Sequence, residues 1–170
     1  NPDFEGALCL PGTHYKWVSV SAGRVTAFTT FMTGELFATL STATILRYSL
    51  QQDGWDESAF VQAVRSAAND PGSPARELFG LRAAALLGSP QTGQARARLS
   101  GLLIGQELGL TRDIRSDAPV AIIGVSRLAT LYRTALTALG SAAEIATPEA
   151  ATVAGLALAA PHTDPEAFDA

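Results

Sequence analysis

The chain has a single cysteine, Cys9, and so can form no internal disulfide. Neither that cysteine nor the two histidines stand at zinc-ligand spacing. Lysine is almost absent: Lys16 is the only one, and every other cationic side chain is arginine. Charged residues make up 16% of the chain, with a net charge of −4 and a pI near 5.1. That balance argues against nucleic acid or an anionic membrane as a partner. No uncharged apolar run reaches the roughly 18 residues that a membrane span needs, and no secretory signal is evident. No G-x-G-x-x-G and no G-x-x-x-x-G-K-[ST] occurs, so neither a dinucleotide fingerprint nor a P-loop is supported. The expected setting is the reducing cytoplasm. The chain opens on Asn1 rather than Met, and within a few residues it reads as strand; a piece of a longer protein, or a processed chain, is expected.

What is present fits one α/β domain. The 170 residues, 47% of them hydrophobic, can bury a sizeable core. The organising stretch is Cys9-Leu10-Pro11-Gly12-Thr13-His14-Tyr15-Lys16-Trp17-Val18, a strand, a tight turn and a second strand. Pro11 fixes one backbone angle, and Gly12 opens conformations closed to other residues. Such a turn can aim backbone N–H groups, the Thr13 hydroxyl and the Lys16 ammonium at one phosphate. A plain hairpin with an exposed lysine fits the same ten residues.

Ala22-Gly23-Arg24 predicts a hairpin turn and residues 25–31 a third strand, completing an antiparallel meander. At Met32-Thr33-Gly34-Glu35 the spacing turns helical. Thr33 is expected to cap that helix and Glu35 to complement its dipole, while the helix start adds donors beside Gly12 and Thr13. Residues 51–90 read as an all-helical insertion, broken at Asp70-Pro71-Gly72-Ser73-Pro74. A long helix over about 91–111 carries Gly101, Gly105 and Gly109 four apart, a smooth ridge for close packing on another backbone. Its Arg96, Arg98, Gln106 and Glu107 exclude a membrane. Pro119 to Leu128 is an apolar strand entering a helix through Gly124, which predicts that glycine at the carboxyl end of a parallel strand, where open sheets bind ligands. A last strand over 143–146 and a helix to about residue 160 follow, with 161–170 a frayed tail.

The order predicts an α/β fold of the ribonuclease-H-like, actin-like ATPase superfamily: a mixed five-stranded sheet with helices on both faces and the helical insertion. Leu10 to Val18, Met32-Thr33-Gly34-Glu35-Leu36, Phe79-Gly80-Leu81-Arg82 and Leu99-Ser100-Gly101-Leu102-Leu103-Ile104-Gly105 resemble, in order, the C-terminal half of 2-dehydro-3-deoxygalactonokinases. The resemblance spans about residues 7 to 160. It implies an ATP-dependent, Mg²⁺-using sugar-acid kinase acting on the 6-hydroxyl of 2-dehydro-3-deoxy-D-galactonate. It further implies that Gly12, Thr13 and Lys16 form a phosphate loop, that Thr33 and Gly34 approach the phosphates, and that Gly124, Val125 and Ser126 lie against adenosine. His14 and Glu35 are placed with this set, although each also has a local explanation. The family's N-terminal domain, with its Asp-x-Gly-Ser/Thr loop and sugar contacts, is absent from this sequence. No carboxylate is therefore assigned as the base, this piece alone is expected to be inactive, and its uncovered apolar face is expected to favour a homodimer. A non-catalytic nucleotide-binding or assembly module of the same fold is the alternative.

Overall fold

Alternation of apolar and polar side chains sets the sheet. In the computed structural model, which describes residues 3–51, 53–88, 93–115, 118–124, 126–146 and 148–159, β1 (Gly6–Leu10) buries Ala7 and Cys9 and leaves their neighbours half-buried. β2 (Tyr15–Ser21) returns antiparallel, with Cys9 opposite Trp17. β3 (Arg24–Phe31) follows a two-residue turn in which Ala22 and Gly23 both take positive φ, +51° and +69°, the backbone a tight hairpin requires. β4 (Val120–Ile123) pairs parallel to β1, and β5 (Ala143–Ala146) parallel to β4. The sheet order is β3-β2-β1-β4-β5, the expected meander followed by two parallel units.

The helices are α1 (Thr33–Ala43), α2 (Glu57–Asn69), α3 (Ser73–Leu87), α4 (Gln94–Leu110), α5 (Ser126–Ala138) and α6 (Pro148–Ala159), with a 3-10 turn over Ile45–Ser49. The segment expected to be an insertion is helical where described, but α2 is no appendage. Its Phe60 and Val64 join Ala7, Cys9, Trp17, Ile122, Ile104 and Tyr132 in the main core. Asp56 caps α2 by accepting the Ala59 N–H at 2.9 Å. At the turn into α3, Asp70 accepts from Arg76 at 2.6 Å and from the Gly72 N–H at 3.0 Å, and these bonds hold its carboxyl below the ordinary range.

One expectation needs correction. Helices cover a single face of the sheet among the described residues: α2, α4 and α5 pack over Ala7, Cys9, Tyr15, Trp17, Val120 and Ile122. On the other face Leu8, Leu10, Ala121 and Ile123 are half-buried, and Val18, opposite Leu8, is buried at 9% exposed. α6 joins no core cluster and exposes Val153 and Leu156, because its apolar residues are spread round the helix without a single stripe to bury.

The glycine ridge of α4 behaves as its spacing predicts. A Cβ on Gly101 would lie 2.4 Å from the Phe60 carbonyl oxygen, one on Gly105 2.5 Å from that of Val64, and one on Gly109 2.8 Å from that of Ala68. The matched steps of four make α2 and α4 run parallel, backbone against backbone. Contact this close recovers in dispersion and burial what each mid-helix glycine costs in propensity, about 1 kcal/mol. Gly105→Ala is therefore expected to lose about 2 kcal/mol of stability despite its better helix propensity. Urea denaturation of the variant measures this, and a gain in stability would contradict the close approach.

Candidate functional site

A cleft of about 630 Å³ opens where the parallel strands β1 and β4 end. Four segments build it. The turn after β1 supplies Gly12 and Thr13; α1 supplies Thr33, Gly34, Glu35 and Phe37; α4 supplies Arg96, Ser100, Leu103 and Ile104; α5 supplies Arg127, Leu128 and Leu131. Tyr15 and Trp55 complete the wall. The floor is apolar, and the Arg96 guanidinium lies 5.3 Å over the Phe37 ring.

At the turn end, α1 and the Gly12-Thr13 backbone touch. A Cβ on Gly34 would lie 2.6 Å from the Gly12 carbonyl oxygen and 3.0 Å from that of Thr13, so only glycine permits this contact. Thr33 is not the helix cap that was expected. Met32 holds the cap position without any side-chain bond, and the Thr33 hydroxyl turns inward to donate to Glu107. With Met32 in the cap position the start of α1 has no side-chain cap at the cleft, and the Leu36 N–H, bonded to the Met32 carbonyl at 2.8 Å, closes the first turn.

Of the other expected residues, Glu35 lines the cleft while its carboxylate meets His14 Nε2 at 2.8 Å. His14 itself sits exposed on the rim. Lys16 lies on the sheet face opposite Tyr15 and Trp17, its Nζ 3.5 Å from the His14 carbonyl, and is not among the cleft residues. Gly124 ends β4 as expected but is buried against Pro11, whose ring a Cβ there would meet at 3.0 Å. Val125 lies outside the described residues; Ser126 begins α5.

The residue the sequence reading missed is Glu107. It is 1% exposed and accepts the Trp17 indole N–H at 2.7 Å, the Tyr132 hydroxyl at 2.8 Å and the Thr33 hydroxyl. The signal was available: Ser100, Ile104, Glu107 and Thr111 recur at helical spacing on one stripe of α4, so Glu107 belongs to the face that floors the cleft. Arg127 and Trp55 carried no comparable pattern. Burial pushes the Glu107 carboxyl above the ordinary range, and its three donors pull it partway back. Burial first, and then Glu107, push Tyr15 up to about 12 and the neighbouring Cys9 thiol well above its usual range; Arg115 opposes the shift at the thiol.

The sequence family described as 2-keto-3-deoxy-galactonokinase matches residues 1–159. The chain belongs to that family. A Rhizobium meliloti (strain 1021) protein named as a probable 2-dehydro-3-deoxygalactonokinase is 40% identical over 157 residues, covering 90% of this chain and 51% of that protein. The 2-dehydro-3-deoxygalactonokinase of Escherichia coli (strain K12) is 32% identical over 132 residues, 77% of this chain and 45% of its own length. The crystal structure of a Sinorhizobium meliloti protein described as a candidate 2-dehydro-3-deoxygalactonokinase superposes with a TM-score of 0.84 at 38% identity, over 95% of this chain and 54% of that one. The chain thus spans about half the length of the relatives it matches.

The raised Glu107 carboxyl gives this galactonokinase-family chain a definite pH signature. Between its unfolded and folded pKa values the folded state holds a proton that the unfolded state has released. That stabilisation is complete below the ordinary carboxylate range and is lost as pH rises through the raised value. The stability of the wild type relative to Glu107→Gln should therefore fall from about pH 4 toward neutrality, as read by urea denaturation. A difference that stays flat or grows with pH would show that the three donors outweigh burial.

Proposed function

We propose that this chain is the nucleotide-binding half of an ATP-dependent sugar-acid kinase acting on the 6-hydroxyl of 2-dehydro-3-deoxy-D-galactonate, working in the cytoplasm. The observation that carries the reading is the cleft. Its volume suits a nucleotide, its apolar floor suits a flat base, and one end carries an uncapped helix start beside a glycine turn. Family membership and the curated names of the two relatives supply the sugar acid and the transferred phosphoryl group. The strand order, with β2 alone antiparallel to both neighbours and β1, β4 and β5 parallel, supports a ribonuclease-H-like, actin-like ATPase fold.

In this reading Gly12, Thr13, Thr33, Gly34 and the backbone of Glu35 face the phosphates. Arg96 and Arg127, at the cleft walls, add positive charge that draws the anion in. Gly124 acts through Pro11, setting where the Gly12 turn begins, and Val125 and Ser126 are assigned to the adenosine on the family resemblance alone. His14 holds Glu35 aside, so that its carboxylate does not repel the incoming charge. Lys16 serves the phosphates only if a partner domain brings them round the rim. Among the described residues no group of three or more His, Cys, Asp or Glu side chains converges on one point. Mg²⁺ would come with the nucleotide, where it neutralises the phosphates.

Phosphoryl transfer depends on positioning and charge clamping, and a second domain closing over this cleft would complete both. The test is calorimetric titration of the chain with MgADP and MgATP. Micromolar to millimolar binding is expected, with Gly34→Ala weakening it by about tenfold or more as its Cβ forces α1 off the turn. Absence of binding by the wild-type chain, or unchanged affinity in Gly34→Ala, would refute the placement. A coupled assay of this chain alone with ATP, Mg²⁺ and the sugar acid should show no turnover approaching that of sugar kinases.

A further inference from the structure

Glu107 holds a costly position, a carboxyl group under the cleft floor, that nucleotide contact alone does not explain. We infer that Glu107 is a positioning residue: by taking the Thr33 hydroxyl it keeps the start of α1 seated on the Gly12-Thr13 turn. The inference rests on the nucleotide reading above.

The geometry supports it from three sides. The donors come from β2 through Trp17, from α1 through Thr33 and from α5 through Tyr132, while α4 carries the acceptor. Each of these four elements also lines the cleft, through Tyr15, Gly34, Leu128 and Ile104. Trp17 and Tyr132 are both 0% exposed and hold the carboxyl group from the sides that Thr33 does not reach. Thr33 cannot then shift without leaving a buried hydroxyl and a buried carboxylate short of a partner. The residue after it, Gly34, has no slack against the Gly12 and Thr13 carbonyls. Pinning Thr33 thus fixes the first turn of α1 on the turn it must meet. A polar network with every member paired specifies one arrangement of the elements it joins.

The experiment uses the whole chain and MgADP. Thr33→Val keeps the side-chain shape and deletes the donor; Thr33→Ser keeps the donor; Glu107→Gln keeps the volume but cannot accept all three bonds. Calorimetry and the fluorescence of Trp55, which lines the cleft, read the binding. Thr33→Val and Glu107→Gln should bind about tenfold more weakly while melting as folded proteins, with Thr33→Ser restored to within about twofold of wild type. The Trp17 indole proton should keep its NMR position in Thr33→Val, tracing the loss to Thr33 alone. Wild-type affinity in Thr33→Val, or a loss no larger than the fraction unfolded, would overturn the inference. If the wild-type chain binds no nucleotide, the nucleotide reading fails, and amide exchange then decides the positioning role. Faster exchange at Leu36 in Thr33→Val supports it, and unchanged protection there overturns it.

Discussion

A carboxyl group taken out of water must be met by donors or give up its charge. In this chain that constraint falls on Glu107, and the placement of four elements follows from how it is met. The indole of β2, the hydroxyl at the start of α1 and the phenol of α5 all donate to the same carboxyl group. The network lies in the main core yet directly beneath the cleft, so core packing and site geometry are a single problem here. Loosening either end would be felt at the other.

The glycine ridge solves the complementary problem of bringing α4 close enough. With Gly101, Gly105 and Gly109 against the carbonyls of Phe60, Val64 and Ala68, α4 is held on α2 along one stripe. Its stripe of Ser100, Ile104 and Glu107 is then free to face the cleft and the buried network. One face of the helix is defined by having no side chains, the next by having the most demanding one.

Much of this was legible in the sequence because it rests on local rules. Strand alternation, the Ala22-Gly23 turn, the glycine spacing of α4 and the β4–Gly124–α5 unit all follow from periodicity and backbone freedom, and the family resemblance agrees with the family match. What was misread depends on long-range partners. Thr33 looks like a cap because caps are judged from the next three residues, whereas its hydroxyl is claimed by a residue 74 positions away. Composition says nothing of which face a strand residue takes: the pleat turns Lys16 to the face opposite Tyr15, outside the cleft of this chain. Glu107 was read for its charge, which excluded a bilayer, and not for its stripe. Helical cover on both faces was inferred from the superfamily layout, and the outward apolar residues of α6 carry no periodic signal that could have tested it.

Cys9 gives the core a chemical reporter. Its thiol is fully buried one strand from Trp17, and burial together with the nearby Glu107 keeps it protonated. The thiolate is the reactive form, so an alkylating reagent has neither access nor nucleophile while β1 stays covered by the helices. Modification can proceed only as fast as that cover opens. The chain's lone sulfhydryl therefore serves as a clock for breathing of the layer that holds Glu107, readable by mass spectrometry without any label or substitution.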